Sequence, residues 1–94
     1  MDKFLYNLPV VIMKQGKHFV AYSPAIDLST VGKSAKEAQR MFTEAAGIFF
    51  EEIVGAGTTD EVLSDLGWKK VQKQWNPPKM VSSESVGITI PAFA

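Results

Sequence analysis

The sequence predicts an α+β fold: an antiparallel sheet of about four strands, one long helix packed on one face, and a second short helix, in the order β-β-β-α-α-β. Three observations predict it. Two short β-branched runs flank a glycine near the start of the chain. The segment after Ser34 repeats apolar residues at helical spacing, and two further short runs near the end alternate at strand spacing.

The first two strands are "PVVIMK" (9–14) and "KHFVAYS" (17–23), separated by Gln15 and Gly16. Gly16 can take the positive φ of a tight hairpin, so the two runs pair antiparallel. Pro9 cannot donate to a ladder and belongs at the strand start or on an edge. His18, Val20 and Tyr22 share one face of the second strand, and Phe19 and Ala21 share the other. Both faces are partly apolar. One should receive the helix, which leaves the other to a partner. Residues 29–32 add a short third strand.

"SAKE" (34–37) is a capping box in which the Ser34 hydroxyl accepts from the Glu37 N–H while Glu37 reaches back to Ser34. Behind it Ala38, Met41, Phe42, Ala45, Ile48, Phe49 and Ile53 form one buried stripe, with Arg40, Glu44 and Glu51 opposite. "GAG" (55–57) supplies the left-handed stop. Phe50 lies off this stripe: either the second helix or the tail covers it, or it makes a subunit contact. "TTDEVLSDLGW" (58–68) repeats the punctuation, with Thr58 and Glu61 as a second capping box, Val62, Leu63 and Leu66 as a buried face, and Gly67 as the cap. "WKKVQKQW" (68–75) is expected as one lysine-rich edge strand. "NPPKMVSSES" (76–85) is a connector, since paired prolines stop regular structure. "VGITI" (86–90) alternates again, placing Val86, Ile88 and Ile90 on one side, and Pro91 ends it. Residues 1–75 are therefore expected to form the α+β domain, and residues 76–94 a connector and short strand available for oligomerisation.

Ninety-four residues fit a single domain. The ten aromatics, Phe4 and Phe93 at its extremes among them, supply much of what can be buried. Ten Lys and Arg residues balance ten Asp and Glu, and the one basic cluster is Lys69, Lys70 and Lys73. Nucleic-acid binders carry a basic excess on one face, so direct DNA binding is not expected. No cysteine is present, which leaves no disulfide, thiolate nucleophile or soft metal site. "FLYNLPVVIM" is interrupted by Asn7 and Pro9 and followed by "KQGK", so it reads as a strand and not as a leader or membrane span. A cytoplasmic protein is expected.

Little in the sequence supports chemistry. His18 is the single histidine and lies on a strand face away from any carboxylate that could orient it. The acids are scattered, and the adjacent Glu51 and Glu52 point in different directions on a helix. No lysine follows Gly55 and Gly57 as in a phosphate loop, and no Gly-x-Ser-x-Gly elbow is present. A non-enzyme is expected, without catalytic, cofactor or metal residues. Asp27 fits best as a corner residue, its carboxylate accepting from backbone N–H groups one or two residues on.

The run "FVAYSPAIDLSTVGKSAKEA" (19–38) resembles the HicB-like antitoxin family, with Tyr22, Pro24, Asp27, Gly32, Ser34, Glu37 and Ala38 in the family's order. The match covers residues 8–54 well and 58–75 loosely. The resemblance implies a catalytically dead relative of the RNase H fold that binds a small HicA-type RNA-cleaving toxin. Many members add a DNA-binding module, and nothing after Trp75 resembles one. The alternative is an orphan homo-oligomeric domain of the same fold, acting as a scaffold or small-ligand binder. In either case Phe50, Val86, Ile88 and Ile90 are candidate interface residues.

Overall fold

A computed structural model describes residues 5–92, so Phe4 and Phe93 lie outside it. The expected α+β class and element order hold: β1 (Val11–Gln15), β2 (His18–Ser23), β3 (Leu28–Gly32), α1 (Ala35–Gly55), α2 (Thr59–Asp65), β4 (Lys69–Val71) and β5 (Gln74–Asn76). The main sheet has three antiparallel strands in the order β1-β2-β3, while β4 and β5 pair as a separate hairpin.

The β1–β2 hairpin pairs Gln15 with His18, so its two-residue loop is Gly16–Lys17, one residue later than the spacing of the lysines suggests. Gly16 has φ of 60°, as the first position of a II′ turn requires. Directly opposed residues share a face. Ile12, Ala21 and Thr30 therefore lie on the side of α1, where the Thr30 hydroxyl donates to the Ala38 carbonyl at 2.9 Å. Val11, Met13, Val20, Tyr22 and Val31 lie on the other side.

α1 lies mainly over β3, then β2, and least over β1. Ala38, Phe42 and Ile53 are its buried residues, and they meet Ala21, Ile26, Leu63 and Trp68 in one core. Met41 and Ile48, expected within the stripe, are 38% and 55% exposed. The helix sits over an edge strand, and one flank of its wide apolar face has no strand beneath it.

Both helices end in the same way. Gly57 is left-handed at φ 70°; its N–H donates to the Val54 carbonyl at 3.2 Å, and Thr58 N–H donates to the Ile53 carbonyl at 2.9 Å. Gly67, at φ 89°, repeats the pattern with Ser64 at 3.1 Å, and Trp68 N–H donates to the Leu63 carbonyl at 2.9 Å. These are paired Schellman stops, whose following residue folds back onto the helix. The second one delivers Trp68 into the core at 3% exposure. The second expected capping box does not form: no side chain caps α2, and the Thr58 and Thr59 hydroxyls donate to the Ile53 carbonyl at 3.4 and 3.3 Å.

"WKKVQKQW" is a hairpin and not one strand. Val71 opposes Gln74, and Gln72 and Lys73 turn the chain with φ of 51° and 65°. Residues 77–92 carry no helix or strand, so the strand expected at 86–90 is absent. Its alternating side chains are exposed and lie in no ladder. The radius of gyration is 16.2 Å, with extents of 54 × 29 × 22 Å. A compact domain of this length has a radius of about 12 Å.

Candidate functional site

The corner at residues 22–38 is built residue by residue. Ser23 is fully buried at the end of β2, and its hydroxyl accepts from the Ala25 N–H at 3.3 Å. The Ala25 carbonyl in turn accepts from the Trp68 indole N–H at 2.8 Å, tying the corner that follows Pro24 to the core. Asp27 takes φ of 50°, a left-handed setting that Asp and Asn tolerate better than most residues. Its carboxylate accepts the Tyr22 hydroxyl at 2.9 Å in place of the expected backbone N–H groups. That hydrogen bond first, then burial and the charge of Asp27, raises the Tyr22 phenol above the ordinary 10.0.

Gly32 ends β3 against the first turn of α1. A Cβ there would stand 2.5 Å from the Ala38 backbone nitrogen, which explains why this position takes glycine. The Ser34 hydroxyl accepts from Glu37 N–H at 3.0 Å, as expected. The Glu37 carboxylate reaches one residue further back than expected, accepting from Lys33 N–H at 2.9 Å. Ala38 is fully buried. Every residue of the run that can be assigned a role thus shapes the corner and aligns β3 with α1.

The surface that this scaffold displays is the sheet face opposite α1. Met13, Val20 and Val31 stand in one row across the three strands, flanked by the Val11–Tyr22 pair. Met13 and Val31 are 56% and 53% exposed. Gln15 and His18 border the row at the hairpin end, and Ser29 borders it at β3. His18 is exposed and opposes Gln15, with no carboxylate partner shown.

Of the other candidate residues, Phe50 stacks edge-on against Phe49 and Trp68, with ring centroids 5.1 and 5.8 Å away. It is half-buried, so the residue after the second helix accounts for its off-stripe position. Val86, Ile88 and Ile90 are 75%, 77% and 58% exposed. The basic cluster is divided: Lys70 approaches Asp60 at 3.7 Å and lies 5.7 Å from the Trp75 ring centre, while Lys69 and Lys73 are exposed on the hairpin.

Among the described residues no group of three or more His, Asp or Glu side chains is placed to hold a metal ion. No described helix is long and apolar enough to cross a membrane. Two shallow grooves run where residues 76–82 cross the chain, one beside Leu8 and Pro9 and one beside Pro24 and Ala25. Lys79 is the single charged residue lining either.

Two features escaped the sequence reading. Trp68 is the hub of the core, contacting Tyr6 edge-on at 5.6 Å as well as Phe50. The position after a glycine cap often makes a hydrophobic contact back to its helix, and that signal was available at Gly67. The apolar row of Met13, Val20 and Val31 was visible only in part, because Val31 joins it through the register of β3. Comparisons of the chain with protein-family models, with curated proteins and with solved structures find no match in any of the three.

Proposed function

We propose that the chain is a non-enzymatic protein-binding module of the HicB-like antitoxin kind, which binds and neutralises a small HicA-type RNA-cleaving toxin. The observation that carries this reading is the open sheet face. It has an apolar centre at Met13, Val20 and Val31 with polar neighbours at Gln15, His18 and Ser29, the anatomy of a protein interface. Neutralising a ribonuclease demands no chemistry of the binder, since covering the surface that takes RNA is sufficient. The run from Tyr22 to Ala38 supports the family reading through its residue order, and its structural work is to join β2 and β3 to α1 behind the open face. RNA cleavage takes place in the cytoplasm, and the reading puts the chain there.

A second reading, a homo-oligomeric domain acting as a scaffold or small-ligand binder, is favoured by the exposed apolar tail. Co-purification with the product of an adjacent small reading frame separates the two. The antitoxin reading expects a stable complex and suppressed RNA cleavage. Absence of such a neighbour, or no binding at micromolar concentration, removes it and leaves the homo-oligomer.

A further inference from the structure

We propose that residues 86–90 of one copy add as a fourth, antiparallel strand to the outer edge of β1 in a second copy, and that two copies exchange tails in this way. The inference stands apart from the toxin reading and rests on different observations.

β1 is an edge strand whose described hydrogen-bonded neighbour is β2 alone. All five of its residues are exposed, with Val11 and Met13 on one face and Ile12 on the other. An edge strand presents a row of unpaired N–H and C=O groups along its outer side, and such edges recruit strands. The tail is a matching strand without a partner. Val86, Ile88 and Ile90 alternate with Gly87 and Thr89, and none of these lies in a ladder.

An antiparallel register that places Ile88 opposite Met13 satisfies several constraints together. Val86 then faces Gln15 and Ile90 faces Val11, so the tail's apolar side chains join the open face, while Gly87 and Thr89 fall on the side of α1. Glu84, the one charged residue in 80–92, falls beyond the Gln15 end of β1, clear of the apolar pairs. Pro91, which has no N–H to donate, falls just past the start of β1.

The donor of this strand must be a second copy. Within the chain, Val81 and Ser82 line the groove beside Pro9 and Pro24, at the start of β1. Val11 to Gln15 spans about 14 Å at ~3.4 Å per residue. Gln15 lies about 20 Å along the strand from Pro9, and the stretch from Ser82 to Val86 reaches at most about 14 Å, so Val86 cannot arrive opposite Gln15 of its own β1. A tail entering from another molecule meets no such limit. Exchange by two copies closes the assembly, because each edge is filled once and each tail is used once. Exchange also enlarges the open face. Three strands of about five residues present a projected area on the order of 250 Å² at the usual strand spacings, against about 800 Å² per partner in a stable interface.

The absence of native cysteine makes the test clean. One chain carries Met13→Cys and another carries Ile88→Cys, both at exposed positions. Mixed and oxidised, they should give a covalent dimer with one of each, at least tenfold above either chain alone. Light scattering should give twice the monomer mass for the full chain and a monomer after removal of residues 83–94. Circular dichroism should show helix content retained in every variant. The proposal is overturned if the truncated chain keeps the dimer mass, or if the full chain is a monomer at high concentration. It is also overturned if a chain carrying both cysteines closes its disulfide within one molecule. None of these readouts depends on a toxin, so failure of the antitoxin reading leaves them unchanged.

Discussion

Gly32 and the Tyr22–Asp27 pair fix the corner between the sheet and the helix, and each makes a measurable claim. Gly32→Ala would push a methyl group to 2.5 Å from the Ala38 nitrogen and 2.9 Å from the Ala38 Cα and the Glu37 carbonyl carbon, backbone atoms that cannot rotate away. The substitution should cost about 1–3 kcal/mol, the usual penalty for overpacking, read as a lower urea midpoint at unchanged slope. An unchanged midpoint would mean that β3 and α1 are less closely joined than the structure has them. The Tyr22 phenol is raised in the folded protein chiefly because its hydroxyl donates to Asp27. A group raised on folding contributes stability that is fully present below its unfolded pKa and lost as pH rises through the folded one. The contribution therefore vanishes in the alkaline range above 10.0. In a Tyr6→Phe background, which leaves Tyr22 as the single tyrosine, Asp27→Asn should lower the phenol titration seen by ultraviolet difference spectroscopy. A midpoint that does not move would contradict the hydrogen bond.

The β4–β5 hairpin turns on two residues that are poorly suited to it. Gln72 and Lys73 both hold left-handed φ values, at about 1–2 kcal/mol each for residues with a Cβ. Replacing them by Asn and Gly, the residues favoured in a I′ turn, should raise stability by about 1 kcal/mol. Thermal unfolding of Q72N/K73G against the parent checks this, and a lower Tm would count against the turn assignment. The same residues explain what the sequence concealed. Gly16, Gly57 and Gly67 mark their turns openly, and the Ser34 cap follows from its neighbours, so the first hairpin and both helix ends were legible. At 72–73 no glycine, asparagine or proline marks a reversal, and "WKKVQKQW" read as one strand. Met41 and Ile48 kept the helical spacing of buried residues, but spacing does not reveal that α1 lies over the edge strand β3. The alternation at 86–90 read as a strand as well, but residues 77–92 carry no helix or strand, because alternation shows that a segment could pair and not that a neighbouring strand is there to pair with.

For the molecule as a whole, the core is small and centred on Trp68, while apolar surface accumulates away from it, on the open sheet face and along the tail. The corner motif could be read from residue order, but the open apolar face could not, because it is assembled from three strands whose register only the fold supplies. An apolar row flanked by polar side chains and backed by a helix presents a rigid surface, so a partner docking there needs little reorganisation of the sheet. The central claim is that this row binds the partner protein. The most direct test is a calorimetric titration of the proposed toxin partner, sought as the product of an adjacent small reading frame, with the parent and with Met13→Glu/Val31→Glu. Both substituted side chains are exposed, so the fold should survive, as circular dichroism would verify. The account predicts at least a hundredfold weaker binding by the variant, about 2.8 kcal/mol at 1.4 kcal/mol per decade. Equal affinities for the parent and the folded variant would contradict it.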